Sequence, residues 1–331
     1  MLKPSYKLTI GNQIIDTTDA PQNSTVVDLT VALDMNLPAD SFTLILGQIG
    51  GIQPDRGDEA TIELGYADNG NLTQVMAGTV ATVETGLTAN RVIGYSAAAT
   101  LLRTYVNQTY QDKTAGEIVR DLAGQAEVEV ATADDGINFP AYVIEDRRSI
   151  YQQMADLAEL CGFDLYINAD GELVFQRFTG GATVHVFTYA QHILELEVLQ
   201  TPPRAQQVAA WGESAGSSQG ENSWAWLTKD FSGSRGTAGS GNSSLLLERP
   251  VLRTASAART AANAALTAIK RRTRRGRLRV LGNPDVKLGD AIRLREVPEE
   301  SFNDTFQVRG VTHRLNKQTG FTTTIEFRSL T

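Results

Sequence analysis

One phrase of strand residues occurs twice in this chain. Gly57-Asp58 leads into the alternating run Ala60/Ile62/Leu64, and Gly289-Asp290 leads into Ile292/Leu294. A turn follows each, and then come Val75-Met-Ala-Gly-Thr-Val80 and Phe306-Gln-Val-Arg-Gly-Val311, with apolar residues two apart and a glycine beside the middle. Gly-Asp before a strand is ordinary turn chemistry when met once. Its recurrence inside Leu281 to Phe327, a segment that reads as the closing strands of a barrel, points to one small β-barrel built twice. Three chains of that kind would offer six similar faces.

The front of the chain is strand throughout. Thr25 to Met35 sets Val27, Leu29, Val31, Leu33 and Met35 against Asp28, Thr30, Ala32 and Asp34, one face for a core and one for water. Ser41 to Gly47, Ala60 to Tyr66, Val75 to Thr85 and Arg91 to Ser96 continue the pattern between turns, so residues 1–97 form the first barrel. The texture changes at Ala97. Thr114-Ala-Gly-Glu117 and Ser149-Ile-Tyr-Gln152 are capping boxes, opening one helix that buries Ile118, Val119 and Leu122 up to Gly124, and another that buries Ile150, Met154, Leu157 and Leu160 up to Gly162. A hairpin follows, Phe163 to Ile167 against Leu173 to Arg177, which makes residues 98–178 an α/β insertion.

Residues 179–331 read as the second barrel with two additions. A Gly/Ser-rich stretch, 212–244, has a loop composition yet carries Trp224 and Trp226, indoles suited to anchor a partner. An Ala-rich helix over 255–272 ends in arginines. From Lys270 to Arg279 there are seven positive charges and no acid (Lys270, Arg271, Arg272, Arg274, Arg275, Arg277, Arg279), while the rest of the chain has 23 basic against 38 acidic residues, a net −15. The plain reading of the run is charge that caps the helix end and an outer strand edge in solvent, with Arg277 and Arg279 on one face; one basic island on an acidic body also favours ordered docking of subunits or partners, through acids such as Asp28, Asp34 or Glu63 of a neighbour or a partner's rim. A direct nucleic-acid contact at 270–279 is the alternative, weakened by the absence of stacking aromatics there.

Enzyme chemistry finds little support. Asp134-Asp135, Glu299-Glu300 and Asp55/Asp58/Glu59 lie in turns, where solvated acids are the default, and His185, His192 and His313 do not cluster. No catalytic, cofactor-binding or metal-binding residue and no small-molecule substrate is therefore assigned. Cys161, the only cysteine, reads as a buried thiol. No apolar run approaches the ~20 residues of a membrane span, and the N-terminal sequence MLKPSYKLTIGN has no signal core, so synthesis and folding in the cytoplasm are expected.

The order of these phrases resembles the baseplate hub of contractile injection systems: the late-control D family of tailed phages and the N-terminal half of type VI secretion spike proteins. The likeness rests on Gly57 to Tyr66 with Ala77 to Val80, on Lys113 to Ala123, on Ala158 to Tyr166 followed by Asp170 to Phe175, and on Gly282-Asn-Pro to His313. It implies a mainly β chain, two similar tube-like barrels and a compact α/β domain. It further implies a non-enzymatic homotrimer whose quasi-six-fold ring adapts a three-fold spike to the six-fold inner tube, with baseplate wedge proteins around it. Lacking a β-helix after Thr331, the chain departs from the secretion spikes, so the spike is expected on a separate polypeptide and the particle is expected to be a phage tail or a phage-like device. A fused lysozyme-like domain is missing too, which leaves a cell-wall-cutting tail enzyme as a lesser alternative.

Overall fold

A computed structural model describes residues 2–19, 24–47, 52–69, 71–212 and 235–330. The chain is mainly β. At the front lie β1 (Pro4–Ile10), β2 (Gln13–Asp16), β3 (Val26–Asp34), β4 (Ser41–Gly47), β5 (Glu59–Tyr66), β6 (Asn71–Thr85) and β7 (Ala89–Tyr95). The middle holds α1 (Ala98–Arg103), β8 (Gln108–Thr114), α2 (Ala115–Gln125), β9 (Val130–Ala133), β10 (Asn138–Ile144), α3 (Ile150–Cys161), β11 (Asp164–Ile167) and β12 (Leu173–Gln176). Then come β13 (Val184–Thr188), β14 (Ile193–Gln200), β15 (Gln207–Trp211), β16 (Gly236–Gly239), β17 (Ser244–Glu248) and α4 (Ala255–Arg271). The chain closes through β18 (Arg274–Leu281), β19 (Ala291–Arg295), β20 (Thr305–Asn316) and β21 (Gly320–Ser329).

The doubled phrase is a doubled sheet. Strands β3-β4-β7-β6-β5-β1 lie in that order, and β14-β18-β21-β20-β19-β13 repeat it. Register repeats as well: Phe42 faces Gly94 as Gly276 faces Phe327, Thr79 faces Tyr95 as Gln307 faces Arg328, and Glu59 faces Thr79 as Ala291 faces Gln307. Bulges fall at matching places, Val26/Asp28 with Ile193/Glu195 and Val80/Thr82 with Val308/Gly310. Even the turn is the same. Gly57 and Gly289 take φ of +95° and +83°, which a side chain would strain. Asp58 accepts the N–H of Asp55 at 2.9 Å, and Asp290 accepts that of Lys287 at 3.0 Å. The Asp58 and Asp290 carbonyls accept the N–H groups of Val80 and Val308, both at 2.9 Å. One pairing breaks the likeness, because β1 runs antiparallel to β5 whereas β13 runs parallel to β19.

Two separate barrels were the expectation, and no closed barrel forms among the described residues. Strand β20 is 12 residues long, and only its first residues, 305–307, pair with β19. Its second half, Gly310 to Asn316, is therefore left for β3, which joins the front and rear strands into one 13-stranded sheet over a single apolar cluster. The expected inward row of β3 also needs a correction. The bulge shifts the alternation, so Val26 is buried and Val27 is exposed.

Both capping boxes form, Thr114 with Glu117 and Ser149 with Gln152, and α3 stops at Gly162 in the left-handed region as expected, while α2 runs past Gly124 to Gln125. The expected hairpin is β11–β12, extended by β9 in parallel. Helix α4 packs with this middle region. Ala257, Ala258, Ala261, Ala262, Leu266 and Ile269 share an apolar cluster with α1 to α3 and with Val208 and Ala210 of β15, so the second core reaches past residue 178. Two insertions build it: residues 96–183, between the copies, and 201–273, between β14 and β18, where the first copy has only residues 35–40. Within 212–244, expected as loop, Gly236–Gly239 is strand β16 paired with β15.

Candidate assembly surface

The basic run is cut by a change of element, and its members take separate jobs. Lys270 and Arg271 end α4, where cations oppose the helix dipole. Arg271 donates from Nε to the Leu330 carbonyl at 3.0 Å with its guanidinium 5.7 Å over Phe178, and burial lowers its pKa. Arg274 turns to the Ser301 carbonyl at 2.8 Å and Asp304 at 2.6 Å, 5.5 Å over Phe306. The strand period of two then aims Arg275, Arg277 and Arg279 outward and Leu278 and Val280 inward. Arg279 reaches Glu195 at 3.0 Å. Arg272, Arg275 and Arg277 remain, together with Arg309 and Arg328, around a cleft of about 430 Å³ that Glu197 and Glu326 also line, a surplus of positive charge.

The acids expected to meet these arginines from a neighbour are engaged within the chain. Asp28 takes Arg314 at 2.9 Å, Glu63 takes Lys7 at 3.2 Å, and Asp34 accepts the N–H of Asn36 at 2.7 Å. Trp224 and Trp226 lie outside the described residues.

Sequence reasoning missed Asp164. This buried carboxylate at the start of β11 accepts from Arg309, from Gln307 and, at 3.2 Å, from Arg328, so it fastens the inserted domain to the second copy. Burial, and then the charge of Arg309, push the Arg328 guanidinium down to about 9. Arg309 keeps its Nε buried without a hydrogen-bond partner. Nothing local announces this cluster, since Asp164 stands more than 140 positions from each of its three partners in the chain. At the equivalent first-copy positions stand Thr79, Ala81 and Tyr95, none of them charged.

The turn acids hold structure. Asp134 accepts the Arg177 N–H at 2.9 Å, and Asp135 pairs with Arg120 at 3.2 Å. His185 meets Asp290 at 3.0 Å, a pair the spacing did not suggest, and it braces the second Gly-Asp turn. His192 Nδ1 accepts the Thr188 N–H. His313 is buried at the β3–β20 seam, bonded to Thr323 at 3.0 Å, and burial pushes its pKa down to about 3. Cys161 is buried, and burial raises its thiol to about 11. Among the described residues no three His, Cys, Asp or Glu side chains group to hold a metal, and no helix is long and apolar enough to cross a membrane.

No protein-family model and no curated protein matches the sequence. Solved structures do match its fold. The 43 kDa tail protein of prophage MuSo2 from Shewanella oneidensis superposes with a TM-score of 0.72 at 14% identity, over 98% of each chain. The tail protein from Neisseria meningitidis MC58 gives 0.71 at 14%, over 99% of this chain and 97% of that one. An E. coli component of the type VI secretion system, described as structurally similar to T4 bacteriophage tail proteins, gives 0.60 at 10%, over 97% and 76%. The fold is therefore one shared with phage tail proteins and a type VI secretion component.

Proposed function

We propose that this chain is a non-enzymatic structural hub of a contractile phage tail or phage-like injection system. Three copies form a quasi-six-fold ring that stacks on the inner tube, receives a three-fold spike and is surrounded by baseplate wedge proteins. The observation that carries this reading is the internal duplication: strand order, register and both bulges recur, so three chains supply six near-equivalent sheets. The likeness to tail proteins supports the same class. The arginine-lined cleft suits an acidic rim on a neighbouring ring or wedge. Nucleic-acid binding is the weaker reading, because Arg271, Arg274 and Arg279 are spent on partners within the chain. Native mass and electron-microscope images of the purified 35.8 kDa chain test the proposal. A three-chain annulus with six similar inner sheets is expected; a chain that stays single at high concentration overturns it.

A further inference from the structure

We propose that successive chains join head to tail by strand addition, the outer edge of β14 in one chain pairing antiparallel with the second half of β6 in the next. The register is Thr82 with Thr201, Val83 with Gln200, Glu84 with Leu199 and Thr85 with Val198. The joint rests on the ring reading above and specifies how its chains connect.

The chain already contains this joint once. Strand β3 opens the first copy and docks along Gly310 to Asn316 of β20, in the second copy. By the shared registers β14 stands where β3 stands, and Thr82 to Thr85 stand where Gly310 to His313 stand. Among the described residues both edges are open. β14 ends the path of the large sheet, and β6 beyond Thr79 is paired with β7 on one side with no strand on the other among the described residues. Open edges of this kind are templates for another chain unless they are covered.

Burial marks the same two edges. Leu29 and Val31 are fully buried in the inner joint, while their counterparts Leu196 and Val198 are only partly so. Val311, His313 and Leu315 are 1%, 1% and 8% exposed; their counterparts are the half-buried Val83, the exposed Thr85 and Leu87, which at 95% is the most exposed large apolar side chain among the described residues. In the proposed register the Leu87 turn comes to lie beside Leu196. The carboxylates drawn toward each other, Glu84 and Glu197, stand two register positions apart, and each has an arginine opposite it on the strand behind: Arg91 with Glu84 at 3.5 Å, and Arg277 facing Glu197 in the β14–β18 ladder. Like-charge repulsion therefore does not forbid the contact.

The inner joint also sets which pairs sit close. The Met35 N–H donates to the Arg309 carbonyl at 3.0 Å, so 35/309, 33/311 and 31/313 are hydrogen-bonded pairs and 34/310 and 32/312 are not. Their counterparts Thr82/Thr201 and Glu84/Leu199 then become non-hydrogen-bonded pairs with Cβ atoms about 4.5–5.5 Å apart, close enough for a disulfide with slight adjustment. The full chain would be prepared as Glu84→Cys/Leu199→Cys and, separately, as Thr82→Cys/Thr201→Cys, oxidised, and run on non-reducing denaturing gels. All four positions are exposed or at a strand end, and the native Cys161 is buried. Both variants should give linked dimers and trimers and nothing larger, with the off-register Thr82→Cys/Leu199→Cys remaining unlinked. A ladder running past three chains supports the joint and overturns the three-chain ring. Absence of links in variants that sediment as trimers overturns the joint and leaves the ring standing; absence of links in variants that sediment as single chains overturns both.

Discussion

The two copies of the sheet share two bulges and the same Gly-Asp turn, yet they fill the core in opposite ways. In the first, Phe42 on β4 covers Gly94 on β7; in the second, Gly276 on β18 lies under Phe327 on β21. One aromatic ring and one bare backbone occupy the slot in either case, with donor and recipient strands exchanged. A β-sheet can thus hold its backbone geometry through a change of side chains, provided the volume at each cross-strand pair is kept. The copies also differ in what leaves them, since the link from β3 to β4 is a short turn and the link from β14 to β18 carries part of another core.

The largest effects should come from that exchanged pair. Phe42→Ala and Phe327→Ala should each cost about 3–5 kcal/mol in denaturant unfolding, for the ring lost and the cavity left. Gly94→Ala should cost about 1–3 kcal/mol through overpacking and less when Phe42→Ala is already present, because the ring it strikes has gone. Equal costs without this coupling would break the comparison. Next comes the charge that only the second copy carries. Asp164→Ala should cost about 3–5 kcal/mol, since it leaves Arg309 and Arg328 buried without their counter-charge, while Thr79→Ala, at the first-copy counterpart of its partner Gln307, should stay within about 0.5 kcal/mol.

Much of the repeat was legible because its signals are local. A Gly-Asp turn, a period of two, and a hydroxyl three residues before Glu or Gln can all be read within a few positions, and these located β5, β6, β19, β20, α2 and α3. The β14–β18 pair was hidden by 73 intervening residues, so the shared register could not be seen and α4 was grouped with the wrong core. The bulge at Val26/Asp28 reversed the faces of β3 at Val27, since an extra residue breaks strict alternation without any change of composition. Asp164 was missed because its partners come from strands far along the chain, and no one window contains both sides of an ion pair.

A smaller difference is sensitive to pH. His313 is buried in the seam between the copies, whereas its first-copy counterpart Thr85 is exposed. With its folded pKa depressed to about 3, the unfolded chain binds the proton more tightly, so stability is full above the ordinary histidine pKa and falls as pH drops below about 6.5. Between pH 6.5 and 5 this group should remove about 2 kcal/mol, and urea unfolding of His313→Thr should lack that portion of the slope. The smallest effect separates the twin turns. Asp290→Ala, which loses His185 and the Lys287 N–H in a buried site, should cost about 1–3 kcal/mol, against about 1 kcal/mol or less for Asp58→Ala at the surface, measured by thermal melts. Equal costs for both aspartates would mean that the His185 brace is idle.

The insertion between β14 and β18 has a geometric consequence. Because it leaves from one copy only, a closed set of three chains would be hexagonal along its bore and triangular around its rim, with a bulky lobe at every second position. Each lobe shares its core with the middle region that Asp164 clamps to the second copy, so it cannot drift to the neighbouring sheet, and such an object could address a round channel and a three-sided tip at once without any chain changing shape.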